Sequence, residues 1–364
     1  MISPDADTQQ KRAFFRQLHA QGCFVLPNPW DVGSARYLQR QGFQALATTS
    51  AGCAWSEGRP DGAVSLQATL EHLRLMAAAT PLPLNADFGD GFGATPQAVG
   101  EAVAAAIDTG IAALSIEDAS GVANAPLRPI GQAVERLCAA RAAIDRAGGD
   151  VLLVARAENF FVGVPDLEDT LQRLRAYAEA GADVLYAPGI STREQISAVV
   201  AAAGSKPVNL LVGGPTPLSL QDIAALGVRR VSLGGALARA AWGGLMQATQ
   251  PIVQDGRFDG LQQAASGSAL NALFRWPAPC MAGRAGDYNA SISRLGRITP
   301  GSSAGSSWRS RRGLSCSPVP SRYVHPEPPT RRTATMNVVL RIGVSRTRTR
   351  DWRGTKQTSS SPAA

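Results

Sequence analysis

Short apolar runs rich in valine, isoleucine and leucine alternate along this chain with longer alanine-rich stretches. A short apolar run between turn residues is typical of a buried strand, and apolar positions three or four residues apart are typical of an amphipathic helix. Eight runs have the strand pattern: Cys23–Leu26, Ala45–Thr49, Leu82–Ala86, Ala112–Ile116, Val151–Ala155, Asp183–Tyr186, Pro207–Leu211 and Arg230–Leu233. The pattern therefore predicts strand-helix units around a parallel sheet.

The stretches between the predicted strands have helical periodicity and often end in glycine, which is common after the last turn of a helix. Helices are predicted at Leu66–Ala79, Pro96–Thr109, Gly131–Ala147, Leu167–Ala180 and Arg193–Ala203, and two more at Leu237–Gln250 and Asp259–Leu273. Eight such units over about 250 residues is the size of a TIM barrel. We therefore predict an α/β protein, a (β/α)8 TIM barrel over residues 10–274 with extra C-terminal helices.

The last quarter of the chain has a different composition. Residues 275–364 are rich in Arg, Ser and Pro, and they hold 16 of the 36 Lys and Arg residues but only 3 of the 28 Asp and Glu residues. The net charge of +8 therefore comes from this tail, and the rest is mildly acidic. Such a segment buries too little apolar area to offset its ordering entropy, so we predict a disordered basic tail with one strand-like piece, Met336–Ile342. Nucleic-acid binding by the tail is disfavoured because it has no recognisable motif.

Other sequence features limit the class of protein. The five cysteines are widely spaced and form no C-x-x-C pair, which indicates neither a disulfide framework nor a zinc site. The N-terminus does not have the pattern of a signal peptide, and no apolar run reaches the roughly 18 to 20 residues of a membrane span. We expect a soluble, cytoplasmic protein without a membrane partner. The three histidines lie away from the strand ends, which argues against a Ser-His-Asp triad.

Polar side chains follow five of the predicted strands, at the end of a barrel where ligands bind. The stretch Asn85-Ala-Asp-Phe-Gly-Asp-Gly-Phe-Gly93 places Asp87 where a strand gives way to a glycine-rich loop. The other candidates are Asn28, Trp30, Asp31, Thr49, Ser50, Gly52, Asp61, Asp90, Glu117, Asp118, Arg156 and Glu158. So many carboxylates at one barrel mouth would repel one another unless a cation lies among them.

A hard divalent cation answers this need, because Mg²⁺ takes oxygen ligands and keeps several waters. We predict a Mg²⁺ site, with Mn²⁺ as an alternative, in which Asp87 is the direct ligand and Glu117 and Asp90 are outer or water-bridged partners. Arg156 is then expected to pair with a substrate carboxylate, since a guanidinium can bind a carboxylate through two hydrogen bonds.

Seven motifs, in order over residues 10 to about 273, resemble those of the isocitrate lyase and phosphoenolpyruvate mutase superfamily. They are Asn28-Pro-Trp-Asp-Val-Gly-Ser-Ala35, Thr48-Thr-Ser-Ala-Gly52, Pro60-Asp-Gly62, Asn85-Ala-Asp with Gly91-Phe-Gly93, Ile116-Glu-Asp118, Ala155-Arg-Ala-Glu158 and Gly227-Val-Arg-Arg-Val-Ser-Leu-Gly234. The resemblance implies a magnesium-dependent barrel that makes or breaks a C–C or P–C bond next to a 2-oxo acid, through a pyruvate-enolate-like species. It also implies a homodimer or homotetramer that exchanges the last barrel helix.

The same resemblance implies roles for individual residues. Ser50, Ala51 and Gly52 would hold substrate oxygens, and Trp30 would wall the pocket. Asp61 would orient the substrate, Asp87 and Glu117 would hold the metal, and Arg156 would bind the carboxylate. We therefore name Asp61, Glu117 and Arg156 as the candidate catalytic residues.

The chain also departs from the family pattern. The loop Ala119–Pro129 lacks the Lys-x-Cys-Gly-His run of the lyases, Pro188 stands where those lyases have a glutamate, and Gly89 stands where a second acid is usual. Isocitrate or methylisocitrate cleavage is therefore disfavoured. Three hypotheses stay open: a C–C lyase or decarboxylase of a small 2-oxo or 2-hydroxy (di)carboxylate, a phosphonomutase acting on a P–C bond, and a catalytically weakened barrel that binds a carboxylate.

Overall fold

The structure is a computed structural model, in which residues 2–3 and 6–275 are described. Its eight strands are β1 Phe24–Leu26, β2 Leu46–Ala47, β3 Leu84–Asp87, β4 Ala113–Glu117, β5 Leu152–Arg156, β6 Val184–Tyr186, β7 Val208–Leu211 and β8 Arg230–Ser232. They form one parallel sheet in the order β1-β8-β7-β6-β5-β4-β3-β2. At the remaining seam the Ala47 N–H donates to the Pro27 carbonyl at 3.1 Å, so the barrel is nearly closed. The predicted TIM barrel is confirmed.

Helices surround the sheet and follow the strands in turn. They are α1 Thr8–Leu18, α2 Val32–Arg40, α3 Ser50–Ser56, α4 Leu66–Ala79, α5 Pro96–Ile107, α6 Ile130–Arg146, α7 Leu167–Glu179, α8 Arg193–Ala203, α9 Leu220–Ala225, α10 Ala236–Asp255 and α11 Gly267–Phe274. The prediction of one helix over Asp259–Leu273 is wrong. That segment forms a 3-10 helix, Asp259–Gln263, and then α11, whose N-terminus is capped by the side chain of Ser266. Gly260 allows the 3-10 helix to pack on α10, because a Cβ there would lie 2.7 Å from the Ala248 carbonyl oxygen.

Alternation along the strands divides the core into two layers, because successive side chains of a strand point to opposite faces. One cluster lies inside the barrel, with Phe24, Leu152 and Val154 among its members. The other lies between the sheet and the helices and includes Leu84 and Leu114. The inward positions at the C-terminal ends of the strands are polar, and this change of polarity locates the candidate site.

Helix α1 contributes to the inner cluster through Phe15, which is fully buried. The ring of His19 makes edge contacts with the rings of Phe15 and Phe24, at centroid distances of 4.7 and 5.1 Å. Phe24 is in the first position of β1, so these three rings lie at the N-terminal end of the strands. The candidate site lies at the other end of the barrel, where the strands have their C-terminal residues.

The described helices include none that is both long and apolar enough to cross a membrane. The predicted tail lies outside the described residues except for Arg275, and its strand-like piece Met336–Ile342 lies outside them as well. The division of the chain at residue 274 therefore stays a prediction.

Candidate active site

Three predicted site residues are the last residues of three neighbouring strands. Asp87 ends β3, Glu117 ends β4 and Arg156 ends β5. Glu117 and Arg156 are direct partners in the register of β4 and β5, and Arg156 is the partner of Tyr186 at the end of β6. Parallel strands in this register bring all four side chains to the C-terminal end of the barrel, where TIM-barrel enzymes hold their substrates.

The guanidinium of Arg156 is the centre of this group. Its Nη1 lies 2.8 Å from Asp87 Oδ1, its Nη2 lies 3.2 Å from Glu117 Oε2, and its Nε lies 2.6 Å from Glu158 Oε1. The Cζ atom of Arg156 also lies 5.1 Å from the centroid of the Tyr186 ring, within the range of a cation–π contact. One cation is therefore shared by three carboxylates and packed against one aromatic ring.

The charges of this cluster do not balance, because three carboxylates surround one guanidinium. Burial raises the pKa of Glu117 to about 8; Arg156 opposes this shift, and Glu158, Asp87 and Asp61 add to it. Burial also raises the pKa of Glu158 against the opposing effect of Arg156. For Arg156 itself burial would lower the pKa, but the surrounding carboxylates hold it well above its usual value. The site therefore has excess negative charge, which favours a bound cation.

Asp87 is also held by the segment after β2. The Ser50 N–H donates to Asp87 Oδ2 at 2.9 Å, and the Asp87 N–H donates to Thr48 Oγ1 at 2.9 Å. Thr49 caps α3 by accepting a hydrogen bond from the Gly52 N–H at 3.3 Å. The predicted substrate-binding residues Ser50, Ala51 and Gly52 therefore form the first turn of α3, beside Asp87.

Trp30 packs against the same turn. A Cβ atom at Gly52 would lie 2.8 Å from Trp30 Cβ and 2.7 Å from Thr49 Cγ2, so only glycine fits there without a shift of its neighbours. Trp30 is half-buried, as expected of a residue in a pocket wall.

Asp61 lies on an exposed part of the loop between α3 and α4. Its Oδ1 accepts a hydrogen bond from the Gly62 N–H at 2.9 Å. Burial is the main cause of the raised pKa of Glu117, and the charge of Asp61 makes a small further contribution to it. An exposed loop next to the barrel mouth suits a residue that contacts the substrate.

Asp90 forms ion pairs with two arginines. Its Oδ2 lies 2.7 Å from Arg128 Nη2 and 3.0 Å from Arg136 Nη2, and its Oδ1 accepts a hydrogen bond from the Phe92 N–H at 3.0 Å. Arg136 also donates to the Gly93 carbonyl oxygen at 2.8 Å. Asp90 thus fastens the glycine-rich loop to α6, and its role as an outer or water-bridged partner of a metal stays a prediction.

The sequence pattern assigns no role to two of the partners of Arg156. Glu158 is one of several acids at strand ends, and Tyr186 is the last residue of a predicted strand. Tyr186 faces the barrel interior with its register partner Arg156, and this register is known only from the structure because every residue of β6 is buried.

Asp118 is a buried acid that holds the backbone of Glu158. Its Oδ1 accepts a hydrogen bond from the Glu158 N–H at 2.9 Å, and its Oδ2 accepts from Arg173 Nη1 at 2.9 Å and from the Tyr177 hydroxyl at 2.5 Å. These bonds fix the backbone of Glu158, whose carboxylate contacts Arg156. Nothing in the local sequence shows this role, since Arg173 and Tyr177 lie on a distant helix.

The donor set around Asp87 fits a hard cation. Within the described ranges, no three or more His, Cys, Asp or Glu side chains are grouped as a closed metal site. A Mg²⁺ site does not need such a group, because one carboxylate with waters and substrate oxygens completes its coordination. Asp87 and Glu117 supply only oxygen ligands, and the excess negative charge favours a divalent ion over a water molecule.

Comparison with known proteins agrees with this geometry. The sequence model of the phosphoenolpyruvate phosphomutase family matches residues 15–253. The chain belongs to this family. The crystal structure of a Burkholderia cenocepacia J2315 protein, described as a candidate lyase/mutase, superposes with a TM-score of 0.71 at 46% identity, over 75% of this chain and 98% of that one.

Two proteins that are similar to this chain are named as enzymes. The 2-methylisocitrate lyase of Salmonella typhimurium LT2 is 34% identical over 219 residues, which are 58% of this chain and 73% of the lyase. The oxaloacetate decarboxylase of Rhodopseudomonas palustris BisB18 is 33% identical over 220 residues, 58% of this chain and 69% of the decarboxylase. The resemblance to the isocitrate lyase and phosphoenolpyruvate mutase superfamily is thereby confirmed, and the chain is an enzyme of that superfamily.

Proposed function

We propose that this protein is a Mg²⁺-dependent enzyme that cleaves or decarboxylates a small 2-oxo or 2-hydroxy (di)carboxylate through a pyruvate-enolate-like intermediate. The observation that carries the proposal is the Arg156 guanidinium held between Asp87 and Glu117 at the C-terminal end of the barrel. It combines a group that binds a carboxylate with oxygen ligands for a cation.

Asp87 and Glu117 would hold the cation, which supplies Lewis-acid stabilisation of the negative charge that develops on the substrate. Arg156, whose Nη1 lies 2.8 Å from Asp87 Oδ1, would bind the carboxylate of the substrate, while Glu158 holds Nε and keeps the plane of the guanidinium fixed. The first turn of α3 presents Ser50, Ala51 and Gly52 to the substrate oxygens, and Trp30 and Asp61 border the pocket.

The loop after β4 favours decarboxylation over cleavage of a larger acid. Residues 119–129 include no Cys, Lys or His, so this loop offers no proton donor of the lyase kind. The loop is closed on itself by a bridge between Ala119 and Leu127. Loss of CO₂ leaves an enolate that water can protonate, and such a reaction needs no acid from this loop.

The test is formation of pyruvate from oxaloacetate, measured by coupled assay with Mg²⁺ or Mn²⁺ and with a metal chelator. The rate without protein must be subtracted, because divalent metals catalyse this decarboxylation in solution. Asp87→Ala is expected to reduce the metal-dependent rate to the background. Asp108→Ala, an exposed acid at the end of α5, should retain it. Unchanged turnover in Asp87→Ala would refute the proposal.

A phosphonomutase is the second candidate, and the family match over residues 15–253 favours it. In that case the same site would act on a P–C bond. Phosphorus NMR distinguishes the two reactions, because only a mutase converts phosphoenolpyruvate into a species with a phosphonate resonance. A carboxylate-binding barrel without turnover is the third candidate; calorimetry would then show oxalate binding while neither oxaloacetate nor phosphoenolpyruvate is converted.

A further inference from the structure

Asn28 lies at the seam of the barrel, between β1 and β2. These strands stand at the two ends of the strand order, and across the seam the Ala47 N–H donates to the Pro27 carbonyl at 3.1 Å. Bonds of a parallel ladder recur at alternate residues, so the next backbone donor toward β2 would be two residues beyond Pro27. That residue is Pro29, which has no N–H. The C-terminal end of the seam therefore needs a side chain to close it.

The side-chain amide of Asn28 supplies this contact. Its Nδ2 donates to the Thr48 carbonyl oxygen at 2.9 Å, and its Oδ1 accepts from the N–H groups of Leu233 and Gly234 at 2.9 and 2.8 Å. Asn28 is 5% exposed, so these bonds are shielded from water. One amide therefore joins the segments that follow β1, β2 and β8.

The orientation of this amide follows from its partners. Two backbone N–H groups converge on one of its atoms, which must be the oxygen, and a backbone carbonyl faces the other, which must be the NH₂ group. Aspartate has the same shape, but its ionised carboxylate has no proton to donate to the Thr48 carbonyl. Position 28 therefore uses both groups of the amide, the donor as well as the acceptor.

The segment that Asn28 fastens also holds Asp87 at two points. The Thr48 N–H donates to the Asn85 carbonyl at 2.9 Å, and Thr48 Oγ1 accepts from the Asp87 N–H at 2.9 Å. Two residues later the Ser50 N–H donates to Asp87 Oδ2 at 2.9 Å. Strand β2 has two residues and two register pairs with β3, so the position of this segment depends on contacts beyond the ladder. The bond to the Asn28 amide is such a contact, on the side away from β3.

We propose that Asn28 is a positioning residue, which sets the position of the Asp87 carboxylate through residues 48–50. This inference rests on the proposed function in one respect, the binding of a cation by Asp87. Thr48 fixes the backbone of Asp87 and the Ser50 N–H fixes one of its carboxylate oxygens, so both contacts depend on where the segment lies. Loss of the bond between Asn28 and Thr48 should therefore weaken cation binding, although the Asn28 amide is itself bonded to backbone groups.

The first measurement is Mn²⁺ binding to the full-length protein by calorimetry, with the metal alone as the probe. Thr48→Val keeps the side-chain shape and removes the acceptor of the Asp87 N–H. Its affinity should fall about tenfold, as is usual when a group that orients a metal ligand is lost, and Thr48→Ser, which keeps the hydroxyl, should bind like the wild type.

Thr80→Val is the matched control for this measurement. Thr80 and Thr48 are both 3% exposed, and Thr80 Oγ1 accepts a hydrogen bond from the Leu82 N–H at 3.1 Å, at the other end of β3. The control variant should lose stability while it binds Mn²⁺ like the wild type. A loss of affinity in Thr80→Val equal to that in Thr48→Val would overturn the inference.

Asn28→Asp tests the positioning residue itself. The variant keeps the acceptor for Leu233 and Gly234, loses the donor to Thr48 and adds a negative charge. The added charge alone would attract a cation, so weaker binding can be assigned to the lost donor. We expect Mn²⁺ affinity about tenfold below that of the wild type.

Crystal structures of the unliganded wild type and Asn28→Asp give a readout that needs no metal. The hydrogen bond between the Ser50 N–H and Asp87 should be lost in the variant, while the barrel is retained. An intact bond would overturn the inference, and so would wild-type Mn²⁺ affinity in Asn28→Asp or in Thr48→Val. If the wild type itself does not bind Mn²⁺, the proposed function fails and the two crystal structures alone decide the inference. If Asn28→Asp does not fold, Asn28→Ala, which removes the amide without adding a charge, replaces it in both measurements with the same expected results.

Discussion

Arg156 and Asp87 contact each other directly, with Nη1 of the arginine 2.8 Å from Oδ1 of the aspartate. The group that we expect to bind the substrate carboxylate and the group that we expect to bind the metal are therefore partners before either ligand arrives. Each must exchange this partner for its ligand. The contact also keeps two charged side chains in place at the barrel mouth without a ligand, which preorganises the site.

The first prediction concerns the stability of the carboxylate cluster. Arg156→Met leaves Asp87, Glu117 and Glu158 without their shared cation, and the free energy of unfolding should fall by about 3–5 kcal/mol, as for other buried ion pairs that lose one partner. Urea denaturation in a metal chelator measures the change. Arg175→Met is the control, because its ion pair with Glu168 spans 4.0 Å on the surface, and it should change stability by less than about 1 kcal/mol. Equal effects would contradict the prediction.

The second prediction concerns Asp118, which accepts three hydrogen bonds while 2% exposed. Asp118→Asn removes the charge that pairs with Arg173, and the unfolding free energy should fall by about 3 kcal/mol or more. Oxalate affinity should fall as well, because the Glu158 backbone loses its anchor. Asp145→Asn is the matched control, since this aspartate pairs with Arg141 on the surface of α6. A variant as stable as the wild type would show that Asp118 is not needed there.

The third prediction tests the close packing of α3 against Trp30. In Gly52→Ala the new methyl group would lie 2.7 Å from Thr49 Cγ2 and 2.8 Å from Trp30 Cβ, so the helix turn must shift. Overpacking of this kind costs about 1–3 kcal/mol, and the shift should also raise the KM for the carboxylate substrate. Gly131→Ala in α6 meets no atom within 4 Å and should leave KM unchanged. Wild-type kinetics in Gly52→Ala would argue against substrate contact by this turn.

The fourth prediction concerns acid stability. His19 has a pKa near 3 in the folded protein, mainly because of burial, against an ordinary value of 6.5. Between these values the unfolded chain binds the additional proton, so stability is full above pH 6.5 and falls as the pH decreases toward 3. In His19→Phe this loss should become smaller between pH 6.5 and 4.5, while the edge contacts with Phe15 and Phe24 can persist. Denaturation midpoints of both proteins across this range measure the difference; parallel curves would contradict it.

The fifth prediction concerns assembly. Helix α10 lies wholly within the described range, and only its residue Ala238 is buried, while Trp242, Leu245, Met246 and Val253 are exposed. An apolar face of this kind favours a homodimer or homotetramer. Light scattering should give an oligomer for the wild type and a smaller species for Met246→Glu. Leu75→Glu on α4 is the control, because Leu75 and Met246 are equally exposed at 63%. A monomeric wild type would refute this prediction.

Much of the fold could be predicted because the local signals agree. Each of the eight predicted strands is present with both ends within two residues of the prediction, and the helices at Leu66–Ala79 and Arg193–Ala203 have the predicted bounds. The Asp259–Leu273 helix was wrong because a close approach between Gly260 and α10 outweighed helical periodicity. Such a contact depends on residues far apart along the chain, and no local pattern contains it.

The candidate site was predictable only in part. Strand ends identified Asp87, Glu117 and Arg156 as neighbours, and their roles in metal and substrate binding stay predictions. The same reasoning grouped Asp90 with them; in the structure Asp90 pairs with Arg128 and Arg136 from beyond β4, and its part in a metal site stays a prediction. Charge alone could not distinguish these two kinds of acid, because the cation that each one meets comes from another part of the chain.

Local sequence patterns specify the barrel, its eight strands and the end at which polar residues gather, because periodicity and turn residues act within a few positions. The tertiary structure decided which charges meet. It placed Arg156 among Asp87, Glu117 and Glu158, and it placed Arg230 inside the barrel, where its hydrogen-bond partners are Asn209 and Asn85. Both results depend on the register between strands, which sets side chains from distant segments within hydrogen-bond distance and thereby fixes their charge and orientation.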